Sequence, residues 1–157
     1  MGANERQVGG THYRAAPGVM QHWDLVVATG MGYFEGQVTR YVGRWRKKNG
    51  VEDLRKAVHY IDKLAEVYGI VSRWRSTGVP PVHVQRAELE AYVSAHKLST
   101  LEEGVFDFMI SWKTKRDLTI ARGLVADLIA LAENEAPKSV PLSDSNKHAD
   151  RETQVKE

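Results

Sequence analysis

An all-α protein is expected from this sequence: a helical bundle built on an antiparallel helical hairpin, with an extended N-terminal arm and a disordered C-terminal tail. Three observations carry that expectation. Phe34, Val38, Tyr41, Val42 and Trp45 recur at the spacing of one helix face, and Leu54, Ala57, Val58, Ile61, Leu64, Ala65 and Tyr68 do the same a few residues later. Only a short loop around Asn49-Gly50 separates the two stripes, so the helices fold back antiparallel to bury them. A third stripe, Leu118, Ala121, Leu124, Val125, Leu128 and Leu131, runs through a helix expected over 117–133.

Each remaining element follows from local signals. Residues 1–20 carry Gly2, Gly9, Gly10, Pro17 and Gly18 with little apolar periodicity, which reads as an arm. Trp23, Leu25, Val26 and Val27 predict a small helix from His22 that stops at Thr29-Gly30. In the hairpin, Asn49-Gly50 reads as the glycine cap ending the first helix, and Glu52 and Asp53 open the second, where carboxylates oppose the helix dipole. Ser76 to Pro81 breaks the chain and separates a hairpin module (21–75) from a second helical half (82–133). In that half, 87–96 reads as a helix, and Ser99-Thr100 with Glu102-Glu103 as a capping box. Residues 105–112 fit a helix or, through Phe106, Phe108, Ile110 and Trp112, a strand. From 134 the chain is polar with Pro137 and Pro141 and reads as a tail. Glu35-Gly36, Trp45 and Asp53-Leu54 are echoed by Glu103-Gly104, Trp112 and Asp117-Leu118 at unequal spacings, which leaves an internal duplication open.

Composition narrows the function classes. Hydrophobic residues make up 42% and charged residues 27%, enough for a core. There is no cysteine, which removes disulfide scaffolds, thiolate metal sites and cysteine catalysis. No run approaches a membrane span, and the N-terminus has no apolar signal region. Net charge is only +2, yet Arg40, Arg44, Arg46, Lys47 and Lys48 crowd one stretch without a carboxylate. Local excess on a nearly neutral chain points to a small anion or short phosphate backbone rather than long nucleic acid.

On the first hairpin helix Gln37, Arg40, Arg44 and Lys47 form one ridge, and on the second Asp53, Lys56, Tyr60 and Lys63 repeat its spacing. Packed through their apolar faces, the helices bring these ridges together along one groove, where arginine forks and lysine point charges suit phosphate. A simply solvated helix face has the same pattern. The arm adds Gly9-Gly10-Thr11-His12-Tyr13, with close backbone approach, a titratable group and a ring. The six histidines show no metal-ligand spacing, no Walker loop is present, and Glu102, Glu103, Asp107, Asp117 and Asp127 are the carboxylates able to form a magnesium cluster.

The segments V-G-G-T-H-Y (8–13), F-E-G-Q-V-T-R-Y-V-G-R (34–44), K-K-N-G (47–50) and E-D-L-R-K-A-V-H-Y (52–60) resemble the SaV-like family of small bacteriophage proteins. The resemblance covers residues 8–68, and Gln37 and Arg40 depart from the family's usual Asn and Lys. The module is also similar to the C-terminal part of an early nucleotide kinase of podophages that lacks a Walker loop. The resemblance implies an all-α, homo-oligomeric phage protein of the host cytoplasm that binds a nucleotide.

In the enzyme reading, a deoxynucleoside monophosphate kinase, His12, Asp53 and Lys48 are catalytic, with a nucleoside triphosphate as donor and Mg²⁺ allowed but not indicated. Tyr13, Gln37, Arg40, Tyr41, Arg44, Lys47, Lys56 and Tyr60 bind substrate and phosphate. The alternatives are a non-catalytic binder that sequesters a nucleotide or nucleotide messenger, nucleic-acid binding through the basic stripe, and a MazG-like NTP pyrophosphohydrolase using the second-half carboxylates.

Overall fold

The computed structural model describes residues 18–75 and 82–135, with the side chains of 74, 75 and 82–85 excepted. Seven α-helices account for most of these residues and none forms a strand: α1 (His22–Thr29), α2 (Tyr33–Val42), α3 (Val51–Glu66), α4 (Tyr68–Arg75), α5 (Val82–His96), α6 (Thr100–Ser111) and α7 (Lys115–Glu135). No helix is long and apolar enough to cross a membrane among the described residues. Both halves contribute to one core: Leu25, Val38, Leu54 and Ile61 from the first meet Val105, Phe106, Met109 and Leu128 from the second.

The expected hairpin is present as α2 and α3, but its joint differs. Helix α2 ends at Val42, and Trp45 sits in a separate 3₁₀ turn, Trp45–Lys47. Gly43 lies so close to α6 that a Cβ there would come within 3.3 Å of Phe106 Cζ. The tighter turn after it swings Trp45 into the core. Gly50 is therefore not a C-cap: with φ +55° it occupies the N-cap position of α3. Helix α3 stops at Val67, and α4, which the sequence reading did not separate, follows.

In the second half, Ser99 caps α6 as expected. Its hydroxyl accepts from the Glu102 N–H, and its own N–H donates to Glu102 Oε2 at 2.7 Å. Residues 105–111 are helical, because Val105, Phe106, Met109 and Ile110 are buried at helical spacing. Those apolar residues, with Trp112, fill the chain's own core. Helices α5 and α7 begin earlier than expected, at Val82 and Lys115.

The duplication left open above is present, in a different register. Counterparts differ by a constant 67 positions: Gly32 with Ser99 as N-caps, Glu35 with Glu102, Trp45 with Trp112, Ile61 with Leu128. Glu35 thus pairs with Glu102 rather than Glu103, and Asp53 has no acidic counterpart. The same backbone turn recurs, with Gly30 at φ +69° and Lys97 at φ +55°. Met31 N–H donates to Val26 O and Leu98 N–H to Val93 O, both at 3.1 Å. Each helix packs on its own counterpart, α1 on α5, α2 on α6 and α3 on α7. Such self-pairing is the mark of a twofold arrangement.

Two buried hydrogen bonds cross that axis. Trp45 Nε1 donates to Glu102 Oε1 at 2.8 Å, and Trp112 Nε1 donates to Glu35 Oε1 at 2.9 Å. Trp45→Phe and Trp112→Phe each remove one indole donor from a buried carboxylate and should each lower stability by about 2 kcal/mol, read by urea unfolding. A cost confined to one of them would contradict the equivalence. Lys97 holds a left-handed conformation that its counterpart assigns to glycine, so Lys97→Gly should raise stability by about 1 kcal/mol, seen as a higher thermal midpoint.

Candidate functional site

The polar residues singled out in the hairpin converge at the α2–α3 joint, in an arrangement different from two outward ridges. Asp53, in the first turn of α3, is fully buried. Arg44 turns inward from the end of α2 and donates to it through Nε at 3.0 Å and Nη2 at 3.3 Å, while Asn49 Nδ2 donates at 3.0 Å. Burial alone would raise the Asp53 carboxyl. The hydrogen bonds from Asn49 and Arg44, and the charges of Arg44 and Lys56, outweigh it and hold Asp53 below its ordinary value. Asp53 is therefore an ionised strut that ties the joint together.

Around this strut lie three rings. Tyr41 and Tyr60 stack at 5.7 Å between centroids, and Tyr33 meets Tyr60 edge-on at 6.1 Å. The Arg44 guanidinium sits 4.7 Å from the Tyr41 ring centre, and Lys56 Nζ lies 6.0 Å from it. Lys56 also pairs with Glu52 at 2.5 Å, a hydrogen bond that raises its pKa. Arg40 is exposed one turn before Arg44, and its charge bears on both Tyr60 and His22. Lys47 and Lys48 are exposed where the 3₁₀ turn leads into the loop, and Gln37 is half-buried on α2.

Arg40, Lys56, Tyr41 and Tyr60 thus share one neighbourhood, and Arg44 belongs to it as a structural member. Lys63, from the expected ridge, pairs with Glu66 near the far end of α3. His12 and Tyr13 lie outside the described residues. Tyr33, 66% exposed, is a ring the sequence reading passed over because the apolar stripe begins one residue later. Asn49 was read only as a turn residue, although its side chain helps hold Asp53.

The second-half carboxylates do not gather. Glu102 is buried and accepts from Trp45, Arg46 and Ser99; these bonds overcome burial and lower its pKa. Asp117 accepts the N–H groups of Lys113 and Thr114 at the start of α7, both at 2.8 Å. Among the described residues no three metal-ligating side chains converge. A hollow of about 230 Å³ does exist, away from the tyrosines, beneath Trp45 and beside Leu128 and Leu131.

Pseudosymmetry isolates the joint cluster. At the positions equivalent to Tyr33, Tyr41, Arg44, Asp53, Lys56 and Tyr60, the second unit carries Thr100, Phe108, Ser111, Ile120, Gly123 and Asp127. The same helix pair folds there without the strut, the cations or the stacked phenols. Comparison of the chain with protein-family models, with curated proteins and with solved structures finds no match.

The strut and His22 make the fold acid-sensitive. His22 hydrogen-bonds Thr39 at 2.9 Å, and burial, then the charges of Arg40 and His96, lower its pKa from 6.5 to about 4. The unfolded chain binds this proton first, so stability should fall by up to about 3 kcal/mol as pH drops from 6.5 toward 4. Below that, protonation of Asp53 and Glu102, whose folded values are depressed, removes more. His22→Gln should flatten the upper part of this loss in urea titrations at pH 7 and 4.5. Asp53→Asn should cost about 2 kcal/mol at pH 7, because Arg44, only 18% exposed at its side chain, loses its counter-charge.

Proposed function

We propose that this is a nucleotide-binding protein whose ligand lies on the open face of the α2–α3 joint. The rings of Tyr33 and Tyr60 offer aromatic surface to a base, stacking that is worth about 1–3 kcal/mol per base. Arg40 and Lys56, with Lys47 and Lys48 on the adjoining turn, supply the charge for phosphates. One observation carries the reading: phenols and cations converge in the first unit only, while the second unit keeps the same fold without them. The helix pair packs in the second unit without counterparts of Tyr33, Tyr60, Arg40 and Lys56, which supports ligand binding as the reason for these four. The resemblance to the SaV-like family points the same way.

The geometry favours binding over phosphoryl transfer. Asp53, expected to position an acceptor, is engaged by Arg44 and Asn49. The hairpin cations line an open surface, and water-excluding closure around a reacting phosphate is part of how kinases work. The basic stripe also falls short of a nucleic-acid track, since Arg44 and Arg46 are both turned onto carboxylates.

Calorimetry with deoxynucleoside mono-, di- and triphosphates tests the proposal. The expected result is saturable binding, with ligand recovered unchanged, weakened about tenfold by Tyr60→Ala, and by a similar factor by Lys56→Ala. Folded protein that binds none of these nucleotides would overturn it, and a diphosphate product formed from a monophosphate and a triphosphate donor would restore the kinase reading.

A further inference from the structure

The ionic strut is a layer added to the helix pair rather than a part of its core. At the positions of Arg44, Asn49 and Asp53 the second unit carries Ser111, Arg116 and Ile120, and α6 and α7 still form and pack. Ile120 is 40% exposed there, whereas Asp53 is fully buried. Two packed helices alone therefore leave this position open. In the first unit the cover comes from side chains of the site itself: Arg44 and Asn49, bonded to the carboxylate, and Lys56 beside it. Replacing a buried ion pair whole by apolar residues is often neutral for stability. Holding the fold together is thus not a sufficient reason for the strut.

Its contacts lead instead to the rings. The Arg44 guanidinium that clamps Asp53 at 3.0 and 3.3 Å also lies 4.7 Å from the Tyr41 ring centre. A planar guanidinium suits both contacts, the fork onto a carboxylate and the stack on a ring. Tyr41 in turn stacks on Tyr60 with 22° between their planes, and Tyr60 meets Tyr33 edge-on. Lys56 Nζ, paired with the exposed Glu52, stands 4.0 Å from Asp53 Oδ1, so the same carboxylate bears on a cation of the face. Strut and rings are replaced together in the second unit, where Thr100, Phe108 and Asp127 stand for the three tyrosines. We propose, on the nucleotide reading of this face, that Asp53 is its positioning residue: it touches neither base nor phosphate, but holds the tyrosine rings through Arg44 and steadies Lys56. Side chains ordered before a ligand arrives lose less freedom when it binds, which raises affinity without adding a contact.

The second unit supplies the test variant. Arg44→Ser combined with Asp53→Ile, in the full chain, introduces residues that a helix pair of this fold already accommodates, and it removes both charges of the pair together. Urea unfolding should show a folded chain. Calorimetry should then give about a tenfold weaker affinity for deoxynucleoside monophosphates. Without ligand, the Tyr41 and Tyr60 ring protons should lose their mutual ring-current shifts, a change that a strut serving stability alone does not require. Arg44→Lys keeps a positive charge for Asp53 but removes the planar group from Tyr41. It should weaken binding severalfold, and it carries the test if the double variant does not fold. Wild-type affinity in either folded variant, or unaltered Tyr41 and Tyr60 shifts, would overturn the proposal. A wild-type chain that binds none of these nucleotides, with the rings still released in the variants, would overturn the nucleotide reading instead.

Discussion

Two indole-to-carboxylate hydrogen bonds hold this fold in register. Each starts on a tryptophan just beyond the second helix of one unit and ends on a glutamate in the first turn of the matching helix of the other. A buried carboxylate is costly unless its hydrogen bonds are made. Glu102 meets that requirement with Trp45, Arg46 and its own N-cap, and Glu35 draws on Trp112. Because each indole bond crosses between units, neither glutamate has its full set of hydrogen bonds from its own unit alone. The constraint makes the two three-helix units interdependent, and it explains why α2 ends early: Gly43 and the 3₁₀ turn are what let Trp45 reach across.

Within that symmetric frame the two units have diverged in ways that can be read as a division of roles. The first unit concentrates polar chemistry at its helix joint, where Arg44, Asn49 and Asp53 form a closed ionic strut and Arg40, Lys56 and the tyrosines form the open face above it. The second unit places serine, arginine and isoleucine at the strut positions. At the far ends the divergence runs the other way. The first unit covers its long helix with Tyr68, and the second leaves Leu131 half-exposed. A twofold scaffold supplies internal controls for both comparisons, since the same backbone surroundings appear with and without the features in question.

Much of the helical frame was legible in the sequence, and the reasons are local. The stripe in α3, the glycine that ends α1 and the Ser99 capping box each depend on residues a few positions apart, so they survive without tertiary information. The joint did not, because Trp45 continues the α2 periodicity in sequence while its side chain serves a partner 57 positions away. Residues 105–112 have apolar residues spaced for either period, and only the neighbours of α6 decide between them. The duplication was half-visible: Glu35 and Trp45 were noticed, but adjacent Glu102 and Glu103 left two registers, and the structural turn at Lys97 has no glycine to announce it. At the candidate site the structure brings Arg40, Tyr41, Arg44, Lys56 and Tyr60 into one neighbourhood, while Lys63 lies apart and His12 and Tyr13 fall outside the described residues. The inward turn of Arg44 onto a buried Asp53 had no local signal in the sequence.

The dependence on crossed bonds can be measured directly by hydrogen exchange at the tryptophan indoles. If the two units are locked to each other through Trp45 and Trp112, both indole N–H protons should exchange at one slow rate set by global unfolding, while exposed Trp23 exchanges rapidly. Exchange of either Trp45 or Trp112 at a rate near that of Trp23, or two well-separated slow rates, would mean that the halves open independently, and the account of a single interdependent fold would be wrong.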